Sequence, residues 1–149
     1  MSAPSNCTFC RIASGALAAA KVFETPNCLA FLDHRPLFSG HCLVIPRVHY
    51  ELLADLPDPL AAELFAQARC LSTLMEEALG AQGAFVAINN RVSQSVPHVH
   101  IHVVPRRKGD GLKGFFWPRR HYQDDAEMEA VRTALAEAWQ SARRCGPPA

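Results

Sequence analysis

The sequence predicts an α+β fold, a five-stranded and mostly antiparallel sheet with two main helices. Three observations predict it. Five short runs rich in valine, isoleucine, leucine and phenylalanine are separated by turn residues or by helix-length segments. The first three runs are joined by short links, which makes an antiparallel meander of them. Two longer stretches, one in mid-chain and one near the end, repeat apolar residues at helical spacing.

Residues 1–6 read as a loose tail, and "CTFCRIASG" as a short turn of helix ended by Gly15. "KVFET" (21–25), "CLAFLD" (28–33) and "HCLVIP" (41–46) read as strands, with turn residues in the links "PN" and "HRPLFSG". "DLPDPLAAELFAQARCLSTLMEEALGAQG" is the clearest helix. Asp58 suits its cap, and Pro59 suits the first helical position, where a missing N–H does no harm. Leu60, Leu64, Leu71, Met75 and Leu79 approximate one apolar face that reads as core packing, and Gly80 and Gly83 mark the exit. "AFVAINN" (84–90) is the fourth strand. "HVHIHVV" (98–104) is the fifth, bracketed by Pro97 and Pro105 at positions where a strand tolerates proline. "RRKGDGLKGFFWPRRHYQ" has the composition of a surface loop. A second helix is expected from Asp124 or Asp125, with Met128, Val131, Leu135 and Trp139 on one side, ended by "GPPA". The organisation expected is a tail over 1–6, a single domain over 7–145 and a tail over 146–149.

With 149 residues there is chain enough for one domain with a real core. Hydrophobic residues at 49% and charged residues at 19% fit an ordinary globular protein. A net charge of +1 removes bulk electrostatics as a basis for nucleic-acid binding. No window approaches the ~18 apolar residues of a membrane span. The start "MSAPSNCTFC" lacks a basic segment followed by an apolar one, so a cytoplasmic location is expected rather than export. Six cysteines in a reducing compartment point to free thiols or metal.

The chemistry concentrates in the fifth strand. Alternation puts His98, His100 and His102 on one face and Val99, Ile101 and Val103 on the other. Residues two apart on a strand are separated by ~6.5–7 Å, so His98 and His102 lie ~13 Å apart and one metal ion does not gather all three. A division of labour is the better reading. Cys7 and Cys10 form a C-x-x-C without the βαβ context of a redox pair. A structural zinc site needs two further ligands, for which His49 and His98 are the candidates. Cys28 and Cys42 compete in principle but sit inside apolar strands and read as buried thiols. With His98 given to metal, His100 and His102 remain. A neutral imidazole is a fair nucleophile towards phosphorus, and a second on the same face can donate a proton. Gln94 and Ser95 are uncharged groups suited to phosphoryl oxygens or a leaving atom. Ser95 as nucleophile is an alternative without the G-x-S-x-G context.

"QSVPHVHIHVV" resembles the His-φ-His-φ-His-φ-φ signature of the histidine triad (HIT) proteins, φ being apolar. The resemblance runs from "CTFCRI" through "CLAFLDHRPLFSGHCLVIPRVH" to the triplet and the tryptophan-bearing loop, and is greatest to a bacterial, zinc-containing Hint-like branch. It implies a HIT-like fold, a homodimer that joins two sheets into ten strands, and structural zinc on Cys7, Cys10, His49 and His98. It implies a purine nucleotide substrate, with His100 attacking the α-phosphorus and His102 contacting the phosphate. Gln94 and Ser95 would serve phosphate and leaving group, and His41 would pack beside the triad. Asp33 would hold the ribose, while Phe9, Ile12, Phe31, Leu32 and Leu43 would wall the base. Asn89 and Asn90 fall where the family's strand-four asparagine precedes the phosphate loop. That loop departs from the family pattern, because "NNRVSQS" is short and glycine-free and carries Arg91. The apolar "GFFWP" would supply partner surface.

Four functions follow. A nucleoside phosphoramidase and a dinucleoside polyphosphate hydrolase come first. A nucleotide-binding regulatory protein with vestigial catalysis would not need a nucleophile at His100. A zinc hydrolase would need an open coordination position, which two cysteines and two histidines close.

Overall fold

Period-two alternation in the central strands gives the sheet two different apolar faces. On one face Cys28, Ala30, Cys42, Val44, Val99, Ile101 and Val103 pack with Leu64, Ala68, Leu71 and Met75 of the long helix. On the other, Leu29, Phe31, Leu43 and Ile45 pack with Cys7, Phe9 and Ile12 of the N-terminal helix. The histidine triplet shares this second face.

The structure, a computed structural model, describes residues 6–112 and 121–144. The elements are α1 (Thr8–Ala13), β1 (Lys21–Glu24), β2 (Cys28–Leu32), β3 (Cys42–Pro46), α2 (Asp58–Leu79), β4 (Gly83–Ala87), β5 (Ile101–Arg106) and α3 (Asp125–Arg144), with a single 3-10 turn at Leu53–Asp55. The sheet has the order β1-β2-β3-β5-β4, and every neighbouring pair is antiparallel. The chain divides into two compact units, residues 1–110 and 111–149. The first holds the sheet. The second holds α3, which Asp124 opens by accepting the Glu127 N–H at 2.8 Å. Met128, Val131 and Leu135 of α3 are exposed. The side chain of Trp139 and the "GFFWP" segment lie outside the described residues.

Several boundaries differ from the sequence reading. Helix α2 begins one residue earlier than expected. Pro57 is its cap, in extended conformation with ψ 142°, and its carbonyl accepts the Leu60 and Ala61 N–H groups, so Asp58 is the first helical residue and not the cap. Gly80 ends the helix as expected, in the left-handed conformation with φ 62°. Strand β4 stops at Ala87 rather than running on to Asn90. Strand β5 starts at Ile101 and runs through Pro105, later than the expected 98–104. His98 and Val99 spend their N–H groups outside the ladder, on Val96 O at 2.8 Å and Tyr50 O at 2.7 Å. Pro105 is accommodated because the β3 pairing ends at Val103, which leaves Pro105 paired with β4 alone.

Candidate functional site

The second face of the sheet carries a cavity of about 750 Å³, within the range of small-molecule sites. Helix α1 forms one wall through Thr8, Phe9 and Ile12, and β2–β3 form the floor through Phe31, Leu32, Asp33 and Leu43. Ser95, His100 and His102 close it. Every residue expected from the family pattern to wall a base or hold a ribose therefore lines one cavity. Leu17, Ala18, Ala19 and Ala20 also line it, and the sequence reading missed them. The run of small apolar residues "GALAAA" was their one visible signal.

Three expected residues lie outside the lining. Asn89 does not reach the cavity, and Asn90 accepts the Leu53 N–H through Oδ1 at 3.0 Å. Gln94 braces its own loop and ties it to the segment after β3: Oε1 accepts the Arg91 N–H at 2.8 Å and Nε2 donates to Glu51 O at 2.7 Å. That bracing accompanies left-handed backbone at two non-glycine residues, Arg91 (φ 68°) and Ser93 (φ 60°), so the glycine-free loop adopts the turns that glycine would make easily.

Main-chain groups fix the proton on His100 and His41, and His41 in turn fixes it on His102. His100 is 2% exposed, and its Nδ1 lies 2.7 Å from the His98 carbonyl. A carbonyl only accepts, so Nδ1 carries the proton and Nε2 keeps its lone pair. Burial pushes the His100 pKa below its usual value, against an opposing contribution from that same hydrogen bond, which favours the neutral ring a nucleophile needs. His41 is fixed from the other direction. Its Nδ1 accepts the Leu37 N–H at 3.2 Å, so its Nε2 carries the proton and donates to His102 Nδ1 at 3.0 Å. His102 must then carry its own proton on Nε2. That atom is buried with no hydrogen-bond partner among the described residues. A buried donor on a cavity-lining residue is available to an acceptor bound in the cavity. Burial first, then His100 and His41, lower the His102 pKa to about 4, so the ring stays neutral. Asp33 Oδ2 lies 3.7 Å from His41 Nδ1, too far for a hydrogen bond, while its Oδ1 accepts the Arg35 N–H at 2.8 Å. Asp33, His41 and His102 lie close enough together to consider a cation, but the Leu37 amide commits His41 to hydrogen bonding.

A second constellation sits behind the first. Cys7 caps α1, Cys10 follows one turn later, His49 comes just after β3, and His98 is fully buried. Their ligand atoms all lie within 4.8 Å of one another. Cys7 Sγ is 3.4 Å from His98 Nδ1, and Cys10 Sγ is 3.4 Å from His49 Nδ1 and 3.5 Å from His98 Nδ1. Tetrahedral zinc, with Zn–S ~2.3 Å and Zn–N ~2.0–2.1 Å, requires S···N edges of ~3.6 Å. The set fits. His98 Nε2 donates to the Pro46 carbonyl at 2.9 Å, which leaves Nδ1 as the lone-pair nitrogen facing both sulfurs. Burial, with Cys7 beside it, raises the Cys10 thiol to about 11, a penalty that a bound dication reverses by taking the thiolate. Cys28 and Cys42 are buried on the opposite face, with thiols raised to about 11, as expected of inert thiols.

Residues 15–109 match the model of the HIT domain. The chain belongs to the HIT family. Its HIT relatives include the adenylylsulfatase HINT3 of Arabidopsis thaliana, 34% identical over 118 residues, which cover 78% of this chain and 60% of that protein. They also include the adenosine 5'-monophosphoramidase hnt1 of Schizosaccharomyces pombe, 36% identical over 115 residues, 76% of this chain and 84% of that one. Among solved structures, a zinc-bound histidine triad family protein from Mycobacterium smegmatis aligns with TM-score 0.70 and 37% identity, covering 91% of this chain and 97% of that one. Cys7 and Cys10 precede the matched HIT segment. No helix among the described residues is long and apolar enough to cross a membrane.

Proposed function

We propose that this HIT protein is a nucleoside phosphoramidase, cleaving a purine nucleotide conjugate at its α-phosphate through a nucleotidyl-histidine intermediate on His100. The tautomer of His100 carries the reading, since the His98 carbonyl holds the proton on Nδ1 and leaves Nε2 as the lone-pair nitrogen. The base lies between Phe9, Ile12, Phe31 and Leu43, and the ribose hydroxyls reach Asp33. His100 Nε2 attacks phosphorus, and the phosphorus–nitrogen bond to the leaving amine breaks. The amine departs with a proton that the exposed Ser95 hydroxyl relays from solvent. The His102 Nε2–H donates to a phosphoryl oxygen throughout, which supplies the acceptor it lacks. Water then attacks phosphorus and gives up a proton through the Ser95 hydroxyl to solvent, the phosphorus–Nε2 bond breaks, and the monophosphate leaves with His100 restored.

A polyphosphate leaving group would call for a fixed cation, and no lysine or arginine lines the described cavity. That favours a phosphoramidate over a dinucleoside polyphosphate. Structural zinc on Cys7, Cys10, His49 and His98 belongs to the same reading, and four protein ligands leave it no open position for chemistry. The protein works as a homodimer, and its buried unpaired thiols suit the cytoplasm.

The test sets an adenosine phosphoramidate beside a diadenosine polyphosphate and traps the intermediate from labelled substrate at neutral pH. Turnover of the phosphoramidate and a label on His100 are expected, with His100→Ala lower by on the order of 10³-fold or more. A label on Ser95, or full activity in His100→Ala, overturns the mechanism. Preference for the polyphosphate overturns the substrate.

A further inference from the structure

We propose that the four-ligand metal centre and the reaction centre are mechanically one unit, in which Phe9 and the His98 carbonyl are the positioning groups for the His100 ring. The proposal rests on the reading of His100 as nucleophile. Two contacts hold that ring. Its Nδ1 edge donates to the His98 carbonyl at 2.7 Å, and the Phe9 ring meets it edge-on with centroids 5.1 Å apart and planes at 79°. Both contacts come from segments tied to the metal centre. The carbonyl belongs to a metal ligand. Phe9 stands between Cys7 and Cys10, on the one turn of helix that both sulfurs anchor.

The same Phe9 ring also packs edge-on against His98 at 5.9 Å and against Phe31 of the cavity floor at 5.5 Å. One side chain thus touches a metal ligand, the nucleophile and the base wall. Helix α1 has only six residues, well below the length at which a helix holds itself together. Its far end is secured by Arg47 Nη1, which donates to Ala13 O at 3.1 Å, and its near end by the two cysteines. The second anchor of the triplet runs through the same place. Val99 N–H donates to Tyr50 O at 2.7 Å, and each of those residues directly follows a metal-ligand histidine in the chain. Occupancy of the four-ligand centre therefore sets both the position of the Phe9 wall and the orientation of His100. Reciprocally, a nucleotide in the cavity presses on the metal ligands, because coupling between two binding events acts equally in both directions.

The experiment uses full-length protein loaded with Co²⁺ in place of Zn²⁺, whose visible bands report the Cys₂His₂ geometry, with adenosine 5'-monophosphate as the probe. Addition of the nucleotide is expected to shift the cobalt bands at the concentration at which calorimetry detects binding. Phe9→Leu, which keeps apolar volume and removes the ring, is expected to retain full metal content and to abolish that shift. Its kcat is expected to fall about tenfold or more, the scale of a small misplacement of a reacting group. Nitrogen-15 spectra of the imidazoles are expected to show the His100 Nδ1–H form giving way to an averaged one in Phe9→Leu. Calorimetric binding with unchanged cobalt bands overturns the coupling, as does a Phe9→Leu protein with the wild-type His100 spectrum and kcat. If the nucleotide does not bind at all, the phosphoramidase reading fails instead, and the nitrogen spectra of the Phe9 pair still decide the positioning. Should Phe9→Leu not fold, Phe9→Met, which also removes the ring, replaces it with the same three readouts, and wild-type values in all three overturn the proposal.

Discussion

Acid should destabilise this protein in a way that His102 alone accounts for in part. Burial lowers the His102 pKa from 6.5 to about 4, with His100 and His41 adding to the effect. The unfolded chain therefore binds more protons than the folded one between these two values. Stability from this group is complete above the unfolded pKa and is lost as pH falls towards the folded one. A gap of one between folded and unfolded pKa corresponds to ~1.4 kcal/mol, so the full loss approaches about 3 kcal/mol below pH 4. At pH 5 the loss is about 1–2 kcal/mol once solvent at the partly exposed ring is allowed for. Urea unfolding of wild type and His102→Asn from pH 7.5 to 5, at equal zinc concentration, measures it. The difference between the two proteins removes the contributions of all other titrating groups. Wild type is expected to lose stability more steeply by that amount. Parallel slopes for the two proteins would refute the reasoning, because they would mean that the folded state protonates His102 as readily as the unfolded one.

Leu64 of α2 is fully buried against the sheet, and Leu64→Ala is expected to cost about 2–5 kcal/mol in urea unfolding; a loss under about 1 kcal/mol would show a poorly packed layer. Metal analysis is expected to find about one zinc per chain, with Cys7→Ser/Cys10→Ser losing both the metal and thermal stability. Unchanged zinc in the double variant would sink the ligand assignment. Sedimentation at micromolar concentration is expected to give a dimer, for which exposed Phe65 and Leu74 on α2 and Val86 on β4 offer apolar surface; a monomer alone would count against it.

Much of this architecture was legible because the central strands keep a two-residue rhythm. Leu43 and Ile45 look one way, and Cys42 and Val44 the other, so the strand pattern in "HCLVIP" also assigned the layers. The clustering of Cys7, Cys10, His49 and His98 was legible as well. Cysteines three apart stack on one turn of helix, and the family resemblance singled out His49 and His98 to join them. For Gln94 the sequence shows an amide beside a serine but not that its Oε1 would accept the Arg91 N–H within a left-handed turn. The start of β5 was misread because an alternating pattern continues into His98 and Val99 whether or not a neighbouring strand is there to pair with them. The tautomers were beyond reach altogether. They depend on which main-chain atom each ring meets, and Pro46, Leu37 and His98 carry no sequence signal for that role.

That last dependence has an evolutionary side. Every residue type brings the same carbonyl, so no substitution at Pro46 or 98 deletes the acceptor that orients a neighbouring ring. The arrangement of protons is thus insulated from drift in the side chains around it. The amide at Leu37 is the one exception, since a single residue type lacks it. The Leu37 side chain is itself exposed, and almost any replacement would go unnoticed by His41. Proline would not. It would remove the amide that holds His41 in its tautomer, free that ring to reverse, and leave His102 with its proton turned towards His41 rather than on Nε2. An exposed position one step after Pro36 thereby guards a buried centre against one codon outcome and is indifferent to the rest.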